Sequence, residues 1–289
     1  LSLCALAPST GRAEALVCLA ETFRLHGIED SRREARISLC AAIGVSQVGL
    51  TTAPLEPLGP AASRVEEFAR RRVKREPLSR IVGKREFWGL PLIVSPEVLD
   101  PRPETETIVE AALSVLRERR AEALRILDLG VGSGALLCAL LSEFSNARGV
   151  GVDVSTGAAN VALDNLAACG LASRAEIRVG DWTTGLEGLF DLIVSNPPYI
   201  PTADLPELPP EVRDFDPWLA LDGGFDGLAA YQQILPQSAA LLAPRGWLAA
   251  EFGASQAAEI LAIAKQSGFT DARILKDLAG QDRVLIARL

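Results

Sequence analysis

The stretch LRILDLGVGSGALLCALLSEF, Leu124 to Phe144, decides how the second half of this chain is read. Leu124, Ile126, Leu127 and Leu129 make an apolar run of strand length, interrupted only by Arg125 and Asp128. Gly130, Gly132 and Gly134 come next, and ALLCALLSEF then continues with helical character. Glycines between a strand and a helix let backbone pass close to a ligand and let the helix start tightly. Alone, such a turn is shared by many nucleotide-binding folds and by some plain turns. Its meaning depends on the rest of the chain.

Beyond Phe144 the pattern repeats. RGVGVDVS reads as a strand, TGAANVALDNLAACG as a helix, and AEIRVGDW and FDLIVSN as strands. After a loop come a helix over Tyr231 to Leu242, the strand GWLAAEFG and the helix SQAAEILAIAKQSG. DARILKDL and DRVLIARL close the chain as two strands with no room for a helix between them. Alternation of this kind implies an α/β fold, a doubly wound parallel sheet with an antiparallel hairpin at its end.

The first part of the chain is different. GRAEALVCLAETFRLHG sets Ala15, Leu16, Leu19, Ala20 and Phe23 near one helical face and stops at Gly27. DSRREARISLCAAIG has Asp30 or Ser31 as N-cap, Ala35, Leu39 and Ala42 at helical spacing, and Gly44 as the stop. SRVEEFARRRVKRE opens with a Ser-x-x-Glu capping box, Ser63 and Glu66. We expect a small helical bundle over residues 1–78. The pieces SRIVG and LPLIVS, flanking Gly83 and Gly89, predict a β-hairpin linker over 79–100. The α/β domain then covers 101–289, its first helix entered through Pro103.

Composition narrows the chemistry. A chain of 289 residues with 48% hydrophobic and 23% charged residues is ordinary globular protein with room for one or two domains. No apolar run approaches the ~18 residues of a transmembrane helix, and Pro8 and Glu14 break up the start, so the expectation is no membrane and a cytoplasmic location. A net charge of −8 argues against gripping bare nucleic acid by its phosphates. The basic run Arg70, Arg71, Arg72, Lys74 and Arg75 reads as a solvated helix face. Five scattered cysteines without metal-like spacing read as reduced thiols. The single histidine, His26, reads as a surface or capping residue. Its solitude excludes histidine-built zinc sites and Ser-His-Asp triads, and we expect no metal.

Candidate site residues fall at the ends of successive strands, the edge where such sheets bind ligands. Asp153, ending the second strand, can accept both hydroxyls of a ribose; a structural loop with a helix-capping Asp is the plain alternative. Asp181 and Trp182 can flank an adenine, the carboxylate taking its amine and the indole its face, although a core tryptophan explains Trp182 equally well. Asn196 comes directly after the fourth strand, and Pro197 and Pro198 stiffen the backbone beyond it. Rigid placement suits an in-line methyl transfer. A planar NH2 group is a poor nucleophile; the Asn196 side-chain carbonyl and the Pro197 backbone carbonyl can each accept one of its N–H groups and favour positive charge developing on nitrogen. Tyr199 can lie against the flat group and exclude water.

With these residues placed, the chain resembles the HemK/PrmC family of protein-(glutamine) methyltransferases. The resemblance rests on REPLSRIVGKREFWGL, VLDPRPETE, DLGVGSG, VDVS, GDW, VSNPPYI, LDGGFDGL and DLAGQDR, most of the chain. It implies a helical N-terminal domain that helps hold the partner, a hairpin linker and a Rossmann-like, seven-stranded class I domain using S-adenosyl-L-methionine. Cofactor contacts are implied at Gly130, Val131, Gly132, Ser133, Gly134, Asp153, Trp182 and Asn196. Substrate and catalytic contacts are implied at Asn196, Pro197, Pro198 and Tyr199. The implied partner is a peptide chain release factor, methylated on the glutamine of its Gly-Gly-Gln motif. Val131 stands where Thr or Ser is common, and Asp100 where Ile often precedes PRPETE. For PRPETE, Arg102 or Glu104 near the methionyl end of the cofactor and a purely structural helix start are equal readings.

Three rivals remain on the sequence. An adenine-N6 methyltransferase for DNA or RNA suits NPPY, but must flip a base and hold a polyanion. A dinucleotide-dependent oxidoreductase leaves NPPY unexplained. A non-catalytic binding protein has no reason to keep Asn196, Asp153 and the glycines together. A monomer is the default state.

Overall fold

A computed structural model describes residues 5–289, and it divides by contact into two compact units. The first runs up to Gly83 and takes in Pro210–Phe215; the second comprises Lys84–Pro209 and Asp216–Leu289.

The first unit contains α1 (Arg12–Leu25), α2 (Ser31–Ile43), α3 (Gln47–Thr52), α4 (Ala62–Val73) and α5 (Leu78–Val82). Its core gathers Ala15, Leu19 and Phe23 from α1, Ala35 and Leu39 from α2, and Val65 and Phe68 from α4, at the helical spacings expected. His26 is the C-cap of α1, its Nδ1 2.8 Å from the Thr22 carbonyl.

Four local expectations need correction. The capping box is not formed: α4 starts one residue before Ser63, and Glu66 instead accepts the Leu6 N–H at 2.9 Å. SRIVG is helical: Pro77 opens α5 and left-handed Gly83 (φ 77°) ends it, a Pro-in, Gly-out signature that outweighs the β-branched residues. Arg72 is not solvated. It lies four residues after Phe68 on the buried face of α4, held by Glu34 at 2.5 Å and Glu211 at 3.2 Å. Cys18 is disulfide-bonded, whereas Cys40, Cys138 and Cys169 are free thiols as expected.

The second unit opens with a hairpin, β1 (Lys84–Phe87) and β2 (Leu90–Ile93), turned through Trp88 (φ 52°) and Gly89 (φ 70°). Next come α6 (Glu106–Val115), β3 (Arg125–Leu129), α7 (Ala135–Glu143), β4 (Arg148–Asp153), α8 (Thr156–Ala168), β5 (Ala175–Val179) and β6 (Phe190–Ser195). The short α9 (Pro210–Arg213) belongs to the first unit. α10 (Ala229–Leu241), β7 (Leu242–Glu251), α11 (Ala257–Gln266), β8 (Asp271–Lys276) and β9 (Asp282–Arg288) complete the chain.

The seven strands are ordered β5-β4-β3-β6-β7-β9-β8. Pairing is parallel from β5 to β7; β9 is antiparallel to both β7 and β8. Alternate residues of each strand serve opposite faces. Ile126, Leu192 and Ala249 pack with α6 and α7, while Leu127, Ile193 and Leu248 pack with α10 and α11. Burial on both faces explains strands that read as continuous apolar runs. The seven strands are those the resemblance implies, and the antiparallel end is the one the alternation of strands and helices implies. Among the described residues no helix is long and apolar enough to cross a membrane.

Candidate active site

The order of β4, β3 and β6 places three loops side by side at the C-terminal edge of the sheet. These are the glycine loop after β3, Asp153 at the end of β4 and Asn196 after β6. They share a cavity of about 630 Å³. Gly130, Val131, Gly132, Ser133, Asp153, Trp182, Asn196 and Pro198 line it, as do Arg102, Thr105 and Asp128. Gly134, Pro197 and Tyr199 do not line it.

The glycine loop is held by backbone. The N–H groups of Gly130 and Val131 both donate to the Val152 carbonyl at 2.9 Å. Gly130, Gly132 and Gly134 all have positive φ, 73°, 52° and 78°. At Gly134 a Cβ would lie 3.2 Å from Ala162 of α8, so this glycine serves close packing of two helices. Val131 is buried, its side chain packed against Gly151 of β4 at the cavity wall. Asn165 of α8, fully buried, donates to the carbonyls of Ser133 (2.8 Å) and Ile93 (3.0 Å) and accepts the Ile93 N–H (2.7 Å). One amide thus ties the glycine loop to the hairpin. Sequence reasoning missed it, because a mid-helix Asn carries no local signal.

Two carboxylates face the loop differently. Asp153 accepts the N–H of Gly132 and of Ser155, each at 2.9 Å, which leaves lone pairs for a further donor. Asp128 is 1% exposed, and neither of its oxygens has a hydrogen-bond partner. Burial, with Asp153 nearby, pushes its carboxyl well above the usual carboxylate range, against a smaller opposing pull from the Leu137 backbone N–H, which lies outside hydrogen-bond geometry. A buried acid without a partner, on the wall of a cavity, is suited to a ligand that brings a positive charge or a donor.

Beyond β6 the side chains form a chain of hydrogen bonds. Asn196 Nδ2 donates to Thr105 Oγ1 at 3.1 Å, and the Thr105 hydroxyl donates to Glu251 Oε2 at 2.6 Å. The Tyr199 hydroxyl donates to Glu251 Oε1 at 3.2 Å. Glu251 is 1% exposed; burial raises its pKa, opposed by the Thr105 and Tyr199 hydrogen bonds and by Arg283. Tyr199 is itself raised, first by burial and then by the Glu251 charge.

PRPETE therefore has three attachments. Arg102 Nη2 donates to Asp216 at 2.5 Å, Thr105 joins Asn196 to Glu251, and Glu106 accepts the Trp88 N–H in the hairpin turn at 2.7 Å. Arg102 lines the cavity, whereas Glu104 is exposed and does not. Among the described residues no cluster of His, Cys, Asp and Glu could hold a metal ion.

Fold and site together define a methyltransferase. Residues 106–205 match the family model for the methyltransferase small domain, and residues 14–83 that for the PrmC N-terminal domain. The chain belongs to the release factor glutamine methyltransferase family. It is 47% identical to the release factor glutamine methyltransferase of Rhodospirillum rubrum over 92% of this chain and 81% of that protein. To the Bradyrhizobium diazoefficiens protein of the same name it is 46% identical, over 97% and 96% of the two chains. A solved T. thermophilus 16S rRNA N2 G1207 methyltransferase, in complex with AdoMet and guanosine, shares the fold. Its TM-score is 0.52 at 21% identity, over 71% of this chain and 49% of that one.

Proposed function

We propose that this protein transfers a methyl group from S-adenosylmethionine to the side-chain amide nitrogen of the glutamine in the Gly-Gly-Gln motif of release factors. The observation that carries the reading is one cavity lined by the glycine loop, Asp153, Asn196 and Pro198. Membership of the family supplies the class of substrate.

The residues present fit the cofactor. S-adenosylmethionine, when bound, supplies a methyl made electrophilic by its sulfonium. Gly130, Val131, Gly132 and Ser133 bring the loop to its edge, Gly134 lets the loop turn tightly into α7 against α8, and Asp153 keeps lone pairs for ribose hydroxyls. Asp128, buried without a partner, answers the cofactor's positive charge. Trp182 offers its indole to the adenine.

On the substrate side, Asn196 Oδ1 and the Pro197 carbonyl each accept one N–H of the glutamine amide. Holding both fixes the direction of the nitrogen lone pair and favours the charge that develops as the amide attacks. Pro197 and Pro198 keep those carbonyls in place. Tyr199, which does not line the cavity, is anchored by Glu251 and by Gln256 and holds the turn behind Pro198. No strong base is needed, because the methylated nitrogen sheds its proton readily. The enzyme acts as a monomer in the cytoplasm on protein, without contacting nucleic acid.

Incubation with labelled S-adenosylmethionine tests this directly. The expected result is label on a release factor, lost when its motif glutamine is changed to alanine, and none on adenine-containing oligonucleotides. Label on the oligonucleotides alone would sink the assignment.

A further inference from the structure

The amide of Asn196 is useful only if its oxygen, not its nitrogen, faces the reacting group. Asn side chains are nearly symmetric in shape, so something must choose between the two orientations. The choice is made by two residues far away in sequence, on α6's entry turn and at the end of β7.

Glu251 accepts at both oxygens, from Thr105 at 2.6 Å and from Tyr199 at 3.2 Å, which is the pattern of an ionised carboxylate. Thr105 has one hydroxyl hydrogen, and Glu251 takes it. What Thr105 then presents to Asn196, 3.1 Å away, is a lone pair alone. Only Nδ2 can meet a lone pair favourably, so Oδ1 is turned away from Thr105. Were the amide reversed, two oxygen acceptors would face each other in a site where Thr105 is 5% exposed. The Tyr231 hydroxyl donates to the Glu251 backbone carbonyl at 2.6 Å and fixes the strand end that carries the carboxylate.

We infer that Thr105 and Glu251 are positioning residues: a one-way hydrogen-bond relay, Asn196 to Thr105 to Glu251, sets which end of the Asn196 amide is offered to the substrate nitrogen. The inference rests on the proposed role of Asn196 and assigns a function to the threonine of PRPETE. Thr105 touches neither of the reacting atoms; it acts through Asn196.

Two measurements test it. Neutron diffraction of the deuterated wild-type protein reads the relay with no substrate present. The expected map puts deuterium on Asn196 Nδ2 pointing at Thr105 Oγ1, and the threonine deuteron pointing at Glu251. A threonine deuteron pointing at Asn196 would overturn the inference whatever the substrate proves to be. The second measurement is kinetic, on methylation of a release factor. T105V should lower kcat by ~10–100-fold, the range for outer hydrogen-bond partners, and change the dissociation constant for S-adenosylmethionine less than about twofold. T105S, which keeps the hydroxyl, should recover most of that loss. The double variant T105V/N196A should be no slower than N196A alone, since a relay to an absent amide has nothing left to lose. Additive losses, or a T105S as slow as T105V, would show a merely structural threonine. Circular dichroism confirms that each variant is folded, and the neutron result stands on wild-type protein if T105V is not.

Discussion

Asp128, one residue before the end of β3, has its carboxyl buried with neither oxygen hydrogen-bonded, which costs stability. Its pKa is raised, first by burial and next by Asp153. An acid whose folded pKa lies above its unfolded value of ~3.9 destabilises the fold once pH exceeds that value, fully so above the folded pKa. The free protein should therefore gain stability as pH falls through the raised folded pKa toward ~4. D128N removes the charge. We expect it to raise the melting temperature of the free protein by a few degrees and to weaken S-adenosylmethionine binding at least ~10-fold, read by thermal scanning and calorimetry. Unchanged affinity would remove Asp128 from the cofactor site. This residue lay in plain view within DLGVGSG, but only its burial and lack of partners separate it from an ordinary strand-end acid.

At the scale of elements, LDGGFDGL shows why some motifs stay mute until the chain is folded. The segment wraps the backbone of Tyr199. A Cβ on Gly223 would lie 2.9 Å from Tyr199 Cα, and one on Gly227 (φ 74°) only 2.4 Å from the Tyr199 carbonyl oxygen. That same carbonyl accepts from Gln256 Nε2 at 3.1 Å. Only glycine allows this approach, so the loop supports the prolines of NPPY from outside. G227A should cost about 3 kcal/mol in chemical denaturation, from left-handed strain plus the clash, and should lower turnover as the NPPY turn shifts. A loss below about 1 kcal/mol would mean the turn yields freely. PRPETE is the parallel case. Pro103 announced a helix start correctly, but Thr105 and Glu106 bond to Glu251, Asn196 and Trp88, partners that no local pattern names. SRIVG failed for the opposite reason: its flanking Pro77 and Gly83 were stronger signals than its β-branched side chains.

Across the whole molecule, net charge argues against a nucleic acid substrate. With a net charge of −8, the protein should bind a 20-base-pair duplex no tighter than about 100 µM at physiological salt, by fluorescence anisotropy. Micromolar binding with a steep salt dependence would reveal a basic surface and reopen the adenine reading. The sequence by itself determined the alternation of strands and helices, the parallel sheet with its antiparallel end, and the positions of the glycine loop, Asp153 and Asn196. Those are local properties, carried by hydrophobic period, turn residues and strand ends. Tertiary structure alone decided which distant groups complete the site. Asp128 becomes special through burial, Asn165 through two carbonyls offered by separate elements, and Asn196 through a threonine 91 residues away that already gives its one hydrogen to a glutamate. Hydrogen-bond direction depends on which partners meet in space, and chain order does not encode it.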